Sequence, residues 1–248
     1  MSKISILKSN SANQDASNTV LNSVDQERRN LLIKAGHLSV LAPALALAAC
    51  GGSESADAGT SSASGSCSAV TPAVPQGPYY VPALNRTDIT EGRPGIPAVY
   101  RFKVQDSSCK PIAGAVVDLW QCDKDGVYSA FSSQNTSGAT WLRGFFATGS
   151  DGMVSFNSIF PGWYDGRLTH LHAKVHVGGA VRQTTNVFYP KAIETSVYTN
   201  GLYSKGQNPT TVARDVELRG DTARFNALMM TGQASGAGYV FDYIFTVV

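Results

Sequence analysis

The sequence has few charged residues and little net charge. Of the 248 residues, 15% are charged, and 20 Lys and Arg stand against 18 Asp and Glu, a formal net charge of +2. The positive excess lies within residues 1–49, so the rest of the chain is formally neutral. Binding to a polyanion needs a strongly basic surface. The charge balance therefore argues against nucleic acid as a partner.

Long apolar segments are also scarce. Residues 38–49 form an apolar run that contains Pro43 and is shorter than the roughly 20 residues of a membrane-spanning helix. Arg28 and Arg29 precede this run, and the arrangement resembles a twin-arginine export signal. We interpret residues 1–49 as a cleaved export signal. The protein is therefore expected in the bacterial periplasm or at the cell surface.

Cysteine is rare, with four residues in the chain. Cys50 follows Leu47-Ala48-Ala49, which resembles a bacterial lipobox, where the thiol carries a lipid after cleavage. A plain signal cleaved after Ala49, or later, is the alternative. Residues 50–69 are rich in Gly, Ser and Ala and predict a flexible tether. A lipid on Cys50 would be the only contact of the protein with a membrane.

Export makes a disulfide possible among the other three cysteines, because disulfides form in oxidising compartments. Cys67 opens the folded region, and Cys109 lies in a polar turn. Cys122 instead ends an apolar run. Cysteines in loops are the easier pair to bridge. We therefore predict a Cys67–Cys109 disulfide and a buried free thiol at Cys122.

Residues 70–248 indicate one folded domain built from short strands. Alternating apolar runs between turn residues predict strands at residues 99–105, 115–121, 141–148, 153–159, 168–177, 183–189 and 239–248. Helical patterns are few and cover residues 192–198, 210–217 and 222–229. This spacing predicts an all-β fold, a β-sandwich of mixed strands with a few short helices in its loops.

The most informative segment is a twelve-residue run that ends in two histidines. It begins with a turn at Pro161 and Gly162, continues through Tyr164, and ends with His170 and His172 in a predicted strand. Residues two apart in a strand point to the same face, so both imidazoles leave one face together. Histidine is the commonest metal ligand, and the pattern indicates a metal site. Two hydrogen-bonded histidines on a half-buried strand are the alternative that this spacing leaves open.

Four stretches in a fixed order resemble the intradiol ring-cleavage dioxygenases, the family of catechol 1,2-dioxygenase and protocatechuate 3,4-dioxygenase. They are Gly77-Pro78-Tyr79-Tyr80, Asp118-Leu119-Trp120-Gln121-Cys122-Asp123 with Gly126-Val127-Tyr128, Arg143-Gly144 with Thr148 and Gly152, and the run from Pro161 to His172. No single stretch is decisive, whereas the ordered set is specific. The resemblance implies a β-sandwich that holds one non-haem Fe(III) per chain.

Carried over residue by residue, the resemblance implies that the iron ligands are Tyr128, Tyr164, His170 and His172. Fe(III) is a hard acid, and two phenolates would cancel two of its three charges. Zinc would favour Cys and His, and the ferrous oxygenase triad would need a carboxylate. Tyr164 is the ligand expected to leave when substrate binds and to accept a substrate proton.

The resemblance also implies catalytic and substrate-binding roles. Arg167 matches the family arginine that lies beside the bound ring and stabilises the charge developing on it. Asn186 stands where the family usually has Gln and is one methylene shorter, so its reach to Arg167 or to the ring is open. We expect Tyr79 and Tyr80 to contact the substrate.

The implied function is the cleavage of a catechol-type ring between its two hydroxylated carbons. Such an oxidoreductase of aromatic catabolism incorporates both atoms of O₂ and yields a muconate-type dicarboxylic acid. The alternative is a non-catalytic β-sandwich module at the cell surface that binds catechols, iron chelates or sugars. The helical segment that pairs intracellular members is replaced here by a signal and a tether, so we expect a monomer.

Overall fold

A computed structural model describes residues 69–248 of the chain. The predicted export signal, the lipidation site Cys50, the tether up to residue 68 and Cys67 lie outside the described residues. The predictions made for them therefore stay predictions. Within residues 69–248, no helix has both the length and the apolar character needed to cross a membrane.

Two four-stranded sheets make up the domain. Between residues 69 and 248 the strands are β1 (Pro97–Asp106), β2 (Val116–Trp120), β3 (Arg143–Ala147), β4 (Met153–Ile159), β5 (His170–Val177), β6 (Ala180–Phe188), β7 (Thr231–Ser235) and β8 (Gly238–Val247). The first sheet has the order β4-β1-β8-β7 and the second has the order β3-β2-β5-β6. The pair β1 and β8 is parallel, and the other neighbours are antiparallel. The predicted sandwich of mixed strands is confirmed.

The hydrophobic core lies between the sheets and follows the alternation of the strands. On β1, Tyr100, Phe102 and Val104 are buried and belong to the same cluster as Leu119 of β2 and Phe241 of β8. Alternate residues of a strand point to opposite faces. Each sheet therefore gives one face to the core and leaves the other for loops, solvent or a site.

Two local predictions differ from the structure. Residues 210–217 form a series of turns instead of a helix, because the Asp215 carboxylate accepts the backbone N–H groups of Glu217 and Leu218 and competes with helical hydrogen bonds. Strand β7 was not predicted, since its sequence Thr-Gly-Gln-Ala-Ser has no apolar alternation. The other two predicted helices are present between residues 69 and 248 as α1 (Lys191–Tyr198) and α2 (Thr222–Ala227). A 3-10 turn covers Ser132–Gln134.

Strand β5 separates the core from the candidate site. Leu171, Ala173 and Val175 face the core between the sheets. His170 and His172 alternate with them and therefore leave the opposite face of the sheet. Both histidines are nevertheless buried, at 3% and 1% exposure. Loops and the N-terminal part of the domain must therefore cover this outer face.

Two of the covering turns touch at glycines. Gly126 has φ of +83°, and a Cβ at this position would lie 2.2 Å from the carbonyl oxygen of Trp163. A Cβ at Gly162 would lie 2.3 Å from the carbonyl oxygen of Lys124. Both distances are shorter than side chains tolerate, so only glycine allows the two backbones to approach this closely. The contact brings the segments of the two predicted tyrosine ligands together.

Gly162→Ala should therefore destabilise the domain without changing any donor atom. Forcing a methyl group against the Lys124 carbonyl should cost about 1–3 kcal/mol, which lowers the melting temperature by roughly 3–10 °C for a domain of this size. Gly201→Ala is the matched control, since a Cβ there meets nothing within 4 Å. Thermal denaturation followed by circular dichroism measures both. Equal melting temperatures for the two variants would contradict the contact.

Candidate metal centre

Four side chains meet on the outer face of the second sheet. Tyr164 Oη lies 3.1 Å from His170 Nε2, which in turn lies 3.1 Å from His172 Nε2. His172 Nε2 lies 3.0 Å from Tyr128 Oη. Two phenol oxygens and two imidazole nitrogens therefore converge on one point. The structure brings together all four side chains that the sequence singled out as iron ligands.

Strand pairing and hydrogen bonds hold the two imidazoles. Trp120 of β2 lies opposite His172 of β5, and their rings stack with centroids 4.7 Å apart and planes 9° apart. Nδ1 of His170 lies 2.6 Å from the carbonyl oxygen of Leu168. Because a carbonyl only accepts, Nδ1 donates this hydrogen bond and Nε2 presents its lone pair to the cluster.

Asn186 connects His172 to Arg167. Its Oδ1 accepts a hydrogen bond of 2.6 Å from Arg167 Nη2, and its Nδ2 lies 2.8 Å from His172 Nδ1. A guanidinium only donates, so the amide oxygen must face Arg167 and the NH₂ group must donate to His172. The Asn side chain therefore reaches Arg167 despite its short length. With Nδ1 accepting, the proton of the neutral His172 ring lies on Nε2. To bind a metal through Nε2 as a neutral imidazole, the ring must move this proton to Nδ1.

Arg167 is held from its other edge by a residue that sequence reasoning missed. Arg167 is 6% exposed, and its Nε donates to both carboxylate oxygens of Asp215, at 3.1 and 3.3 Å. Asp215 lies 48 positions further along the chain, in the segment predicted to be helical. No local pattern connects two residues at this separation, so only the fold could reveal the pair.

Aromatic residues cover the cluster on one side. Tyr79 stacks on Tyr128 with ring centroids 4.4 Å apart and meets Tyr164 edge-on at 6.1 Å. Arg143 fixes this cover by donating from Nη1 to the backbone carbonyl of Tyr79 at 2.8 Å. Of the four donor side chains, Tyr164 alone is partly exposed. The centre therefore opens to solvent on the Tyr164 side.

Burial determines the protonation of the cluster. Removal from water, followed by the nearby positive charge of Arg167, lowers the pKa of His170 well below its usual 6.5, and burial does the same to the pKa of His172. Burial raises the pKa of Tyr128 well above 10 and that of Tyr164 to about 12. The imidazoles are thus neutral at pH 7, and both phenols keep their protons unless a cation lies between them.

The donor set fits a hard trivalent cation. Two phenolates would offset two positive charges, and two neutral imidazoles would complete the set. Among residues 69–248 there is no group of three or more His, Cys, Asp or Glu arranged to hold a metal. Thiolate-rich zinc sites and the ferrous triad, which needs a carboxylate, therefore match this cluster less well than Fe(III).

Comparison with known proteins finds a family profile and relatives that match part of the chain. A sequence profile of the family described as "Dioxygenase" matches residues 76–191, which include all four donors. Catechol 1,2-dioxygenase 1 of Acinetobacter lwoffii is 33% identical over 100 residues, covering 38% of this chain and 32% of that protein. Chlorocatechol 1,2-dioxygenase of Rhodococcus opacus is 34% identical over 140 residues, covering 46% of this chain and 54% of that protein.

A solved structure extends the likeness to most of the domain. The intradiol ring-cleavage dioxygenase from Tetranychus urticae superimposes with a TM-score of 0.65 and 26% identity, covering 72% of this chain and 94% of that one. In sequence and in fold, the chain is similar to the intradiol ring-cleavage dioxygenases. It spans only about a third to a half of the length of the two curated relatives.

The two adjacent tyrosines of the stretch Gly77-Pro78-Tyr79-Tyr80 contact different groups. The Tyr79 ring packs against Tyr128 and Tyr164, two of the four donor side chains. The Tyr80 hydroxyl instead donates to Asp118 Oδ2 at 2.9 Å, and its ring lies edge-on to Trp120 at 4.9 Å. Lys174 Nζ lies 3.5 Å from the centroid of the Tyr80 ring. Tyr80 thus lines a neighbouring cavity of about 300 Å³, beside the four donors and not among them.

The cysteines of the described region behave differently from one another. Cys109 is disulfide-bonded, and the predicted partner Cys67 lies outside the described residues. The pairing itself therefore stays a prediction. Cys122 is a free buried thiol, as expected, and its Sγ lies 3.5 Å from the carbonyl oxygen of Gly162.

Asp118 should give this protein a measurable pH dependence of stability. Burial raises the pKa of Asp118 from 3.8 to about 6. Between pH 4 and 6 the folded protein then holds a proton that the unfolded chain has lost, so this group adds stability as the pH falls. A shift of this size corresponds to about 2–3 kcal/mol.

The test compares wild type with Asp118→Asn by urea denaturation from pH 4.5 to pH 7.5. The Asn variant cannot titrate, so its unfolding free energy should gain on that of wild type as the pH rises through 6. A difference between the two proteins that stays constant over this range would contradict the assignment.

Proposed function

We propose that the protein is a non-haem Fe(III) dioxygenase that cleaves a catechol-type ring between its two hydroxylated carbons. Both atoms of O₂ would enter the product, a muconate-type dicarboxylic acid. The observation that carries this proposal is the convergence of two phenol oxygens and two imidazole nitrogens, each within 3.0–3.1 Å of its neighbour in the cluster. Oxygen uptake with catechol, hydroxyquinol and protocatechuate, with product identification by mass spectrometry, tests the activity and selects the substrate.

One Fe(III) per chain would be held by Tyr128, Tyr164, His170 and His172. Such an ion would supply Lewis acidity that acidifies the substrate hydroxyls and makes the ring reactive towards O₂. The protein's part is to offset the charge of this ion with two phenolates in a buried place. The stacking of Trp120 on His172 keeps one imidazole from turning away.

Tyr164 is the donor suited to change place during the reaction. It is partly exposed whereas the other three donors are buried, so it can swing towards solvent at lower cost. A phenol in water has a pKa of about 10, so a phenolate released from the metal at Oη is a competent base. Tyr164 would therefore accept a proton from a hydroxyl of the incoming substrate.

Arg167 is the group that would stabilise negative charge on the ring. Its Nε and Nη2 are occupied by Asp215 and Asn186, and no hydrogen bond among residues 69–248 uses its Nη1. The N–H groups of Nη1 are therefore available to donate hydrogen bonds to negative charge that develops on the substrate. Pre-oriented positive groups of this kind lower the energy of a transition state without reorganising.

We infer further that the protein is exported and anchored by a lipid at Cys50. The adjacent Arg28 and Arg29, the apolar run and the lipobox-like sequence support this location. The disulfide at Cys109 fits an oxidising compartment. Metabolic labelling with palmitate of wild type and Cys50→Ala tests the anchor, and a labelled Cys50→Ala variant would refute it.

A non-catalytic surface module for catechols, iron chelates or sugars is the alternative function. A carrier has no need for two tyrosines and two histidines that leave an open side at Tyr164. Purified, iron-loaded protein should show a broad visible band from tyrosinate-to-Fe(III) charge transfer. A colourless protein that binds catechols without consuming O₂ would favour the carrier.

His172→Ala should remove the iron and His176→Ala should not. His172 supplies one of four donors, and its loss leaves the phenols of Tyr128 and Tyr164 without the cation that offsets their charge. His176 lies on the same strand and the same face but outside the cluster, lining the neighbouring cavity, so it is a matched control. Iron per chain, measured by plasma emission, should fall well below one in the first variant alone. Stoichiometric iron in both would place the metal elsewhere.

Tyr164→Phe should slow turnover strongly while the fold and much of the iron persist. The ring still packs against Tyr79 and His170, whereas the oxygen that binds the metal and accepts the proton is lost. Loss of one general base typically costs about 10²–10⁴-fold in rate. The visible band should shift as well. Turnover and spectrum both identical to wild type would exclude Tyr164 from the centre.

A further inference from the structure

We propose that Asp215 is a positioning residue of the reaction, which acts only by fixing the orientation of the Arg167 guanidinium. This proposal rests on the proposed function, since it concerns the same arginine. Asp215 does not touch the four donors. Its contribution to catalysis would pass entirely through one buried ion pair.

The Asp215 carboxylate is fixed independently of Arg167. Its oxygens accept three backbone N–H groups, from Leu168 at 2.8 Å, Glu217 at 2.9 Å and Leu218 at 3.0 Å. The side chain is completely shielded from solvent. A carboxylate that accepts three backbone hydrogen bonds keeps its position even when the orientation of its ion-pair partner changes. Asp215 is therefore the fixed partner in the pair and Arg167 the dependent one.

Arg167 in turn depends on Asp215 for its orientation. Nε meets the carboxylate on one edge and Nη2 meets Asn186 Oδ1 on another. Two contacts on different edges of a planar group fix its plane and its rotation. Without Asp215, a single neutral amide would hold the guanidinium, which could then turn about that one bond.

The main chain at this point is also tied to the Asp215 turn. The Leu168 N–H donates to Asp215 Oδ2, and Asn208 Nδ2 donates to the carbonyl oxygen of Arg167 at 3.0 Å. The backbone that carries Arg167 thus keeps one anchor, Asn208, when Asp215 is replaced. A variant at Asp215 should therefore move the guanidinium more than the backbone that leads to His170.

The experiment is a double-mutant cycle on the iron-loaded protein. Asp215→Asn, Arg167→Leu and the double variant are compared with wild type for iron content, visible spectrum, kcat and KM. Asp215→Asn should keep its iron and its visible band, while kcat falls about ten- to a hundredfold, the loss expected for one hydrogen bond to a charged group. KM should change much less. In the Arg167→Leu background the same substitution should change kcat by less than about twofold.

Asp123→Asn is the control for mere loss of a buried carboxylate. Asp123 is also buried, pairs with Arg93, and accepts the backbone N–H groups of Asp125 and Val127. Its substitution should lower the melting temperature to a similar extent. Its effect on kcat, whatever the size, should be the same with and without Arg167.

Equal fold-losses of kcat for Asp215→Asn in both Arg167 backgrounds would overturn the proposal. If Asp215→Asn does not fold, Asp215→Glu takes its place in the cycle, because it keeps the charge but displaces the carboxylate by one methylene. A crystal structure of the variant decides the point without activity, and a guanidinium that keeps its wild-type orientation would refute the positioning role. If wild type cleaves no catechol, the proposed function fails, and this crystallographic readout still tests Asp215.

Discussion

The backbone contact between the two glycine-containing turns is the constraint on which the centre depends. Tyr128 and Tyr164 follow these turns directly, on segments 36 residues apart in the sequence. Gly126 and Gly162 let the turns approach to distances that any Cβ would prevent. The strand that follows the second turn then delivers His170 and His172 to the same place. A rigid sheet thus supplies the nitrogens, and a tight loop contact supplies the oxygens.

Low polarity around these donors explains why they work as a unit. Burial disfavours phenolate and imidazolium alike, so each group alone is driven to its neutral form. A trivalent cation reverses the balance for the phenols and leaves the imidazoles neutral. The site therefore has a built-in preference for high positive charge. The same physics explains the Arg167–Asp215 pair, because a guanidinium at 6% exposure needs a carboxylate partner that is already in place.

The sequence predicts the strands well where apolar and polar side chains alternate. The long strands β1 and β4 alternate buried and more exposed residues, and the period-two pattern follows directly from that burial. Strand β7 has no such signal, since four of its five residues are exposed and backbone pairing with β8 alone makes it a strand. The sequence pattern of residues 210–217 wrongly predicts a helix. A helical pattern there is overridden by the Asp215 side chain, which takes up the backbone N–H groups locally.

Local pattern and family motifs together selected the four side chains that meet in the cluster and predicted the sandwich, because each of these is encoded within short segments. The tertiary structure alone decided which distant groups complete the site. It packs Tyr79 against the donor Tyr128 and directs the Tyr80 hydroxyl to Asp118, although the two tyrosines are adjacent in the sequence. It joins Arg167 to Asp215 across 48 residues and seats Asn186 between Arg167 and His172. Contacts between distant residues depend on how loops cover a sheet, and no periodicity in the sequence encodes that.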